Sequence, residues 1–273
     1  MSQLAFEGMP DRLFAASPAR LTTYLDCPRR YRFAYVDRPT PPRGAPWART
    51  SVGASVHTAL ARWWGLPRSR RTPAAGAALL DAAWLTDGFR DADQSRRALA
   101  RSRGQVRRYL ADVDPDHEPV AVERTVTVRT RRASLWGRVD RIDDRGGEGL
   151  AVVDYKTGRT PPTAEDAGSS LALAVYAAAA ARTLRRTCTR VELHHLPSGT
   201  VAGWDHTTAS LDRELRLADA LAAELAAVDS AAGGADELFP ARVGSRCGWC
   251  EFRSSCRPGQ AVPRQQPWAG VED

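Results

Sequence analysis

The sequence predicts an α/β protein with a mostly helical part over residues 17–115, a strand-rich core over 116–229 and a cysteine segment over 230–258. Three observations lead there. Apolar residues recur at helical spacing through the first 115 residues. From residue 119 the pattern changes to apolar–polar alternation, as in a half-buried strand. Near the C-terminus, Cys247, Cys250 and Cys256 crowd into a Gly-rich stretch. A length of 273 residues is ample for one large domain with appendages.

Residues 1–16 read as a flexible leader. Ser17 and Pro18 suit an N-cap and first helical position, so a helix is expected over 19–35. Pro39, Pro41, Pro42 and Pro46 then impose a loop. A helix over 51–64 places Val52, Val56, Ala59, Leu60 and Trp63 on one face, and two more are expected over 73–87 and 92–113. Strands follow at 119–129, 134–143 and 150–156, joined by short turns into a meander. An Ala-rich helix is expected over 164–186, strands at 189–196 and 200–205 around Pro197-Ser198-Gly199, and a long helix over 208–229. Residues 259–273 read as a disordered tail.

The formal charge of +7 rests on 39 basic side chains, of which a single one, Lys156, is lysine. Arginine forks favour polyanion partners, although a high arginine usage raises the charge of any protein. No apolar run approaches the roughly 20 residues of a membrane span. The N-terminus lacks a basic segment followed by an apolar one, so no secretory signal is read and a cytoplasmic location is expected.

Lys156 stands two residues after Asp154 at the end of an apolar run, Val152-Val153-Asp154-Tyr155-Lys156. A compact ammonium can present a proton to one oxygen, which arginine does less readily. Asp140 interrupts a second apolar segment, Gly137-Arg138-Val139-Asp140-Arg141-Ile142. If the two strands pair antiparallel, both carboxylates face one side, and strand alternation adds Lys156 to that face. Two carboxylates and an amine at a strand end suit cleavage of a phosphodiester assisted by Mg²⁺ or Mn²⁺. Asp143 and Asp144 read as solvated hairpin charges. His117 is expected in a loop, and His194, His195 and His206 as ordinary, partly exposed residues. His57, four residues after Gly53, reads in isolation as a helix histidine. The run Tyr24, Arg29, Arg30, Tyr31, Arg32 and Phe33 suits either helix packing with solvated charges or a channel for a nucleic-acid strand.

Cys247 and Cys250 have chelating spacing; with Cys256 and the distant Cys27 they make four thiolates for Zn²⁺ or [4Fe–4S]. Spacing alone favours zinc, the commoner structural metal. Cys188 reads as a buried free thiol.

Gly53-x-x-x-His57, the segments around Asp140 and Asp154-Tyr155-Lys156-Thr157-Gly158, and Leu171 to Tyr176 together closely resemble the RecB-like branch of the PD-(D/E)xK nucleases, with matching order and spacing over residues 17–258. The resemblance implies a restriction-endonuclease-like core, a mixed central sheet flanked by helices. It also implies His57, Asp140, Asp154 and the Tyr155 carbonyl as metal ligands and Lys156 as the catalyst. The family usually carries Gln-x-x-x-Tyr after the lysine. Here Tyr176 is kept, but Ala172 holds the glutamine position and offers no amide. CRISPR-associated RecB-like nucleases and AddB-type nuclease domains place one cysteine before the core and three after it. That resemblance implies a [4Fe–4S] staple on Cys27, Cys247, Cys250 and Cys256.

The expected function is a metal-dependent deoxyribonuclease, an exonuclease on single-stranded DNA or DNA ends, in repair, recombination or CRISPR-type DNA processing. With Lys156 as the single lysine there is no phosphate-binding Gly-x-x-x-x-Gly-Lys motif, so unwinding would need a helicase or another repair or CRISPR partner. The alternative is a nuclease-like module that clamps DNA within a larger complex without turnover. An electron-transfer iron–sulfur protein explains the cysteines but not the acids.

Overall fold

A computed structural model describes residues 13–231 and 236–271. Most of the expected leader, residues 1–12, lies outside them, as do 232–235 and 272–273.

The helices begin where their caps stand. In α1 (Pro18–Asp26) the Ser17 hydroxyl accepts from the Arg20 N–H at 3.2 Å and proline occupies the first turn. The single helix expected over 19–35 is broken, because Cys27 is extended ahead of Pro28, which has no N–H to donate. A short α2 (Pro28–Tyr31) and a π-helical turn over Arg32–Val36 follow. Next come α3 (Ala48–Trp64), α4 (Pro73–Ala83) capped by Thr72, and α5 (Ala92–Ala111) capped by Asp91. The helix expected over 164–186 is two: α6 (Ala164–Gly168), opened by a Thr163–Asp166 capping box, and α7 (Leu171–Leu184), capped by Ser170. The long α8 covers Thr208–Ala231, and α9 (Arg257–Gln260) closes the series.

Six strands form one mixed sheet: β1 (Phe14–Ala16), β2 (Ala121–Arg129), β3 (Ala133–Asp144), β4 (Leu150–Lys156), β5 (Cys188–His195) and β6 (Thr200–Asp205). As the expected meander requires, β2–β3 and β3–β4 are antiparallel; β4–β5 is parallel and β5–β6 antiparallel. β3 carries β2 along one edge. Its other edge is shared, with β1 against Ala133 to Leu135 and β4 against Arg141 to Asp144. Between them, residues 136–140 have no ladder partner on that edge among the described residues.

Helices cover both faces. Leu135, Val139, Ile142, Leu150 and Val152 pack with Leu21 of α1, Leu173 of α7 and Leu225 of α8. Val153 and Tyr155 pack oppositely against Val56, Leu60 and Trp63 of α3, Leu80 of α4 and Val106 of α5. Alternation along β4 directs these two sets to opposite sides.

Two expectations about the chain ends are corrected. Phe14–Ala16, placed in the flexible leader, form β1, with Ala16 fully buried. The tail expected to be disordered packs back over its described part. The Pro267 carbonyl accepts from the Ala48 N–H at 3.0 Å, the Trp268 carbonyl from Gln94 Nε2 at 3.3 Å, and the Val271 carbonyl from Arg101. These backbone carbonyls meet donors at the start of α3 and along α5, which a polar composition does not reveal. No helix of the described residues is long and apolar enough to cross a membrane.

Candidate active site

Strand register builds the site. Arg141 opposes Val153 in the β3–β4 ladder, so the same register sets Asp140 opposite Asp154, one step beyond the last pair. In the β2–β3 ladder Val122 opposes Arg141 and Arg124 opposes Val139, which sets Glu123 opposite Asp140. Three carboxylates therefore lie in a row across three adjacent strands, and the ladder bonds are interrupted along that row. Glu123 has φ of +50°, a left-handed conformation that costs a residue with a Cβ about 1–3 kcal/mol.

Other elements bring the remaining groups. The α3 histidine His57 places Nδ1 3.1 Å from Asp140 Oδ2 and Nε2 3.0 Å from the Tyr155 carbonyl oxygen. Asp140 Oδ2 also accepts from the Tyr155 N–H at 2.9 Å. Lys156 Nζ stands 2.6 Å from Asp154 Oδ2, an ion pair without the angular geometry of a hydrogen bond, so that this buried oxygen has no hydrogen-bond partner. Donor atoms of His57, Glu123 and Asp140 lie within 4.8 Å of one another; Asp154, drawn toward Lys156, stands outside that tight group.

Two glycines permit these approaches. A Cβ on Gly53 would sit 3.4 Å from Thr157 Oγ1, so α3 lies close against the strand end. A Cβ on Gly137 would collide with the Tyr176 ring of α7. Tyr176 and Ala172, one turn apart on α7, are half-buried, while the residues between them are buried.

The electrostatics follow from burial. Burial raises the Asp154 carboxyl above its ordinary value, opposed by Lys156 and reinforced by Asp140. Glu123 is raised mainly by burial, with Arg138 opposing. For His57, burial alone would lower the imidazole, but the Asp140 hydrogen bond and the Asp140 and Asp154 charges hold it above its ordinary value. Both nitrogens face oxygen acceptors, and a cation bound there would take the place of a ring proton. Tyr176 is raised by burial and by both aspartates, so its phenol stays protonated and can donate. Two or three hard oxygens and one imidazole, clustered around an excess of carboxylate charge, are a donor set that a divalent cation fits.

A buried polar layer supports Tyr155 from behind. Its hydroxyl accepts from Trp64 Nε1 at 3.1 Å and from Arg141 Nη1 at 3.2 Å. Arg141 also pairs with Asp143 at 2.9 Å and lies over the Trp64 ring. The side chain of Tyr155 is thus fixed beneath α3, while its backbone N–H serves Asp140 and its carbonyl serves His57.

The histidines expected to be partly exposed are buried: His194, His195 and His206 sit in or beside strands covered by helices. His194 Nε2 contacts Glu192 Oε2 at 2.9 Å, and its Nδ1 contacts the Tyr109 hydroxyl at 2.9 Å. His195 contacts the Gly158 carbonyl at 2.7 Å and so holds the loop after Lys156. Asp143 and Asp144 are not free solvated charges, since they pair with His117 and Arg186 respectively. The His194 hydrogen bond, helped by Arg190, holds the Glu192 carboxyl down to about 2, although burial opposes it. A depressed carboxyl stabilises the fold above its unfolded value and loses that contribution as pH falls toward the folded one. Urea unfolding is therefore expected to show about 2 kcal/mol less stability at pH 2 than at pH 5 from this group, a loss absent in Glu192→Gln.

The arginine-aromatic run near the N-terminus is held by packing and ion pairs, and Arg29, Arg30 and Phe33 also line a cavity. Arg29 donates to the Phe239 carbonyl at 2.8 Å, Arg30 pairs with Glu251 at 3.1 Å and Arg32 with Asp37 at 2.8 Å, while Tyr24, Tyr31 and Phe33 are buried. The same packing brings Cys27, Cys247, Cys250 and Cys256 around one cavity of about 1060 Å³, which Trp47, Arg49 and Trp249 also line. Burial raises the Cys250 thiol, and the nearby Cys27 adds to that. Cys188 lies apart, buried, its thiol pushed up to about 12 by desolvation.

Of the residues expected at the site, the structure gathers His57, Asp140, Asp154, Tyr155, Lys156 and Tyr176 in one place. Glu123 was missed. Its signal lay in the register of the hairpin, which depends on where the turn after residue 129 falls.

No curated protein matches the chain. Among solved structures, the crystal structure of SSO0001 is similar over 92% of this chain and 89% of that one, at 12% identity and a TM-score of 0.36. The sequence profile of the PD-(D/E)XK nuclease superfamily matches residues 15–257, a span that holds the whole row of acids, Lys156 and the four clustered cysteines. With nearly its whole length matched, the chain belongs to the PD-(D/E)XK nuclease superfamily.

Proposed function

We propose that the protein is a RecB-like, metal-dependent deoxyribonuclease that acts in the cytoplasm as an exonuclease on single-stranded DNA or DNA ends. The observation that carries this reading is the row Glu123–Asp140–Asp154, flanked by His57 and Lys156. His57, Asp140, Asp154 and the Tyr155 carbonyl would hold Mg²⁺ or Mn²⁺, with Glu123 beside them. Such a cation lowers the pKa of a bound water and offsets phosphate charge. The chain's own groups do the rest. Asp140 is fixed by the Tyr155 N–H and by His57. Lys156, half-exposed, can turn its ammonium from Asp154 to a phosphoryl oxygen and stabilise charge that develops there. The protonated Tyr176 phenol can donate a hydrogen bond across the same space.

The four cysteines are read as the ligands of a [4Fe–4S] cluster rather than of zinc. Tetrahedral zinc holds its sulfurs about 3.8 Å apart, since each Zn–S bond is about 2.3 Å. Among the described residues, the cluster of donor atoms within 4.8 Å is His57, Glu123 and Asp140, and it includes no cysteine. All four line one cavity, where a single shared group can reach them. The pathway assigned is repair, recombination or CRISPR-type processing, beside a partner that supplies unwinding.

Ala172 favours a second reading, a DNA clamp without turnover, because it removes a polar contact one helical turn from Tyr176. End-labelled single-stranded DNA incubated with Mg²⁺ or Mn²⁺ separates the two. Wild-type protein is expected to shorten linear strands and spare circular ones. Asp140→Asn and Asp154→Asn are expected to lose turnover and to bind Mn²⁺ more weakly in calorimetry. Binding of DNA with no cleavage under either metal would leave the clamp.

A further inference from the structure

The row of acids continues outward along β3 through side chains that the mechanism above does not use. Leu135, Gly137 and Val139 are buried, whereas Trp136 and Arg138 are exposed and Asp140 is half-buried. Alternation places Trp136, Arg138 and Asp140 on one face, in steps of about 6.7 Å. On β2 the register sets Thr125 opposite Arg138 and Thr127 opposite Trp136. Both threonines and Arg129 are exposed, while Val126 and Val128 turn inward. The result is an open ledge of hydroxyls, two guanidinium groups and one indole that begins at the carboxylate row.

One exposed tryptophan on a protein surface requires no explanation. Its position here is what matters. Arg138 Nε stands 2.7 Å from Glu123 Oε2, so the guanidinium is tied to the site, yet its side chain is 69% exposed. It carries five N–H donors, more than one carboxylate takes. Trp136, 46% exposed, lies one step farther out. Each step is comparable to one nucleotide of an extended strand. The edge of β3 between Leu135 and Arg141 has no ladder partner among the described residues, so no strand lies beside the ledge there.

We propose that this ledge binds a single DNA strand whose reacting phosphate lies at Asp140. Arg138 takes the adjacent phosphate, Thr125 and Thr127 offer hydroxyls to the backbone, and the Trp136 indole stacks on the base beyond. The inference rests on the nuclease reading. A duplex keeps its bases stacked inside, so the indole selects unpaired strands.

Anisotropy of a fluorescein-labelled oligothymidylate, in EDTA to prevent cleavage, tests the ledge. Trp136→Ala is expected to raise Kd roughly tenfold or more, Trp136→Phe to retain most of the affinity, and affinity for a blunt duplex to stay unchanged in both. Arg138→Gln is expected to weaken binding and to reduce the slope of log affinity against log salt by about 0.7, whereas Trp136→Ala leaves that slope unchanged. If wild-type protein binds and cleaves, and both Trp136→Ala and Arg138→Gln bind the strand with wild-type Kd, the ledge is overturned and the active site stands. If wild-type protein neither binds nor cleaves DNA, the nuclease reading fails and the ledge with it.

Discussion

Lys156→Ala is expected to lower the cleavage rate by roughly two to three orders of magnitude, the usual loss when a donor to developing negative charge is removed. DNA affinity should change little, because the ammonium acts mainly on the transition state. The 2.6 Å contact with Asp154 adds a second effect. Lys156 opposes the burial that already raises Asp154, so removing it drives that carboxyl higher still. The residual rate of the variant should therefore rise with pH over a range higher than in the wild type. Lys156→Arg is not expected to restore the rate, because a planar fork does not match one compact ammonium. Single-turnover kinetics across pH, with binding measured separately, tests both parts. Cleavage by Lys156→Ala at the wild-type rate would falsify the assignment of the site.

Anaerobically purified protein is expected to be brown and to contain iron and sulfide. Replacing any one of Cys27, Cys247, Cys250 or Cys256 by serine should remove the cluster and lower stability by several kcal/mol, by analogy with other long-range covalent closures. Cys27 precedes β2 and the other three follow β6, so a ligand common to them would close a loop around nearly the whole domain. Gly259 fits this arrangement: a Cβ there would stand 3.3 Å from Cys256 Sγ and 3.7 Å from the Cys247 Cβ. Cys188→Ser should leave iron content unchanged, since that thiol is buried elsewhere. Metal analysis that finds stoichiometric zinc, with neither iron nor sulfide, would remove the iron–sulfur reading and keep the staple.

Asp140, Asp154 and Lys156 were legible because charge that interrupts an apolar strand has to be compensated, and strand alternation is a local rule. His57 was legible only through resemblance: its partners, Asp140 and the Tyr155 carbonyl, lie 83 and 98 positions along the chain, beyond the reach of any local pattern. Glu123 required the register of two strands at once. The arginines of α2 show a different limit. Composition cannot distinguish a guanidinium reserved for phosphate from one bound to Glu251 or the Phe239 carbonyl. The buried histidines and the packed tail have the same origin, since each is fixed by a tertiary contact rather than by its neighbours in sequence.

The return of the C-terminal segment also orders events in time. The Gly44 N–H donates to the Glu251 carbonyl at 2.7 Å and the Ala48 N–H to the Pro267 carbonyl at 3.0 Å, so residues 251–267 brace the first turn of the helix that carries His57. A ribosome delivers that helix early and its brace only after β6. A nascent chain halted after β6 already contains Asp140, Asp154 and Lys156, yet it lacks the contacts that hold the start of α3. Synthesis from N- to C-terminus thus withholds the histidine's final support until the rest of the domain has been made.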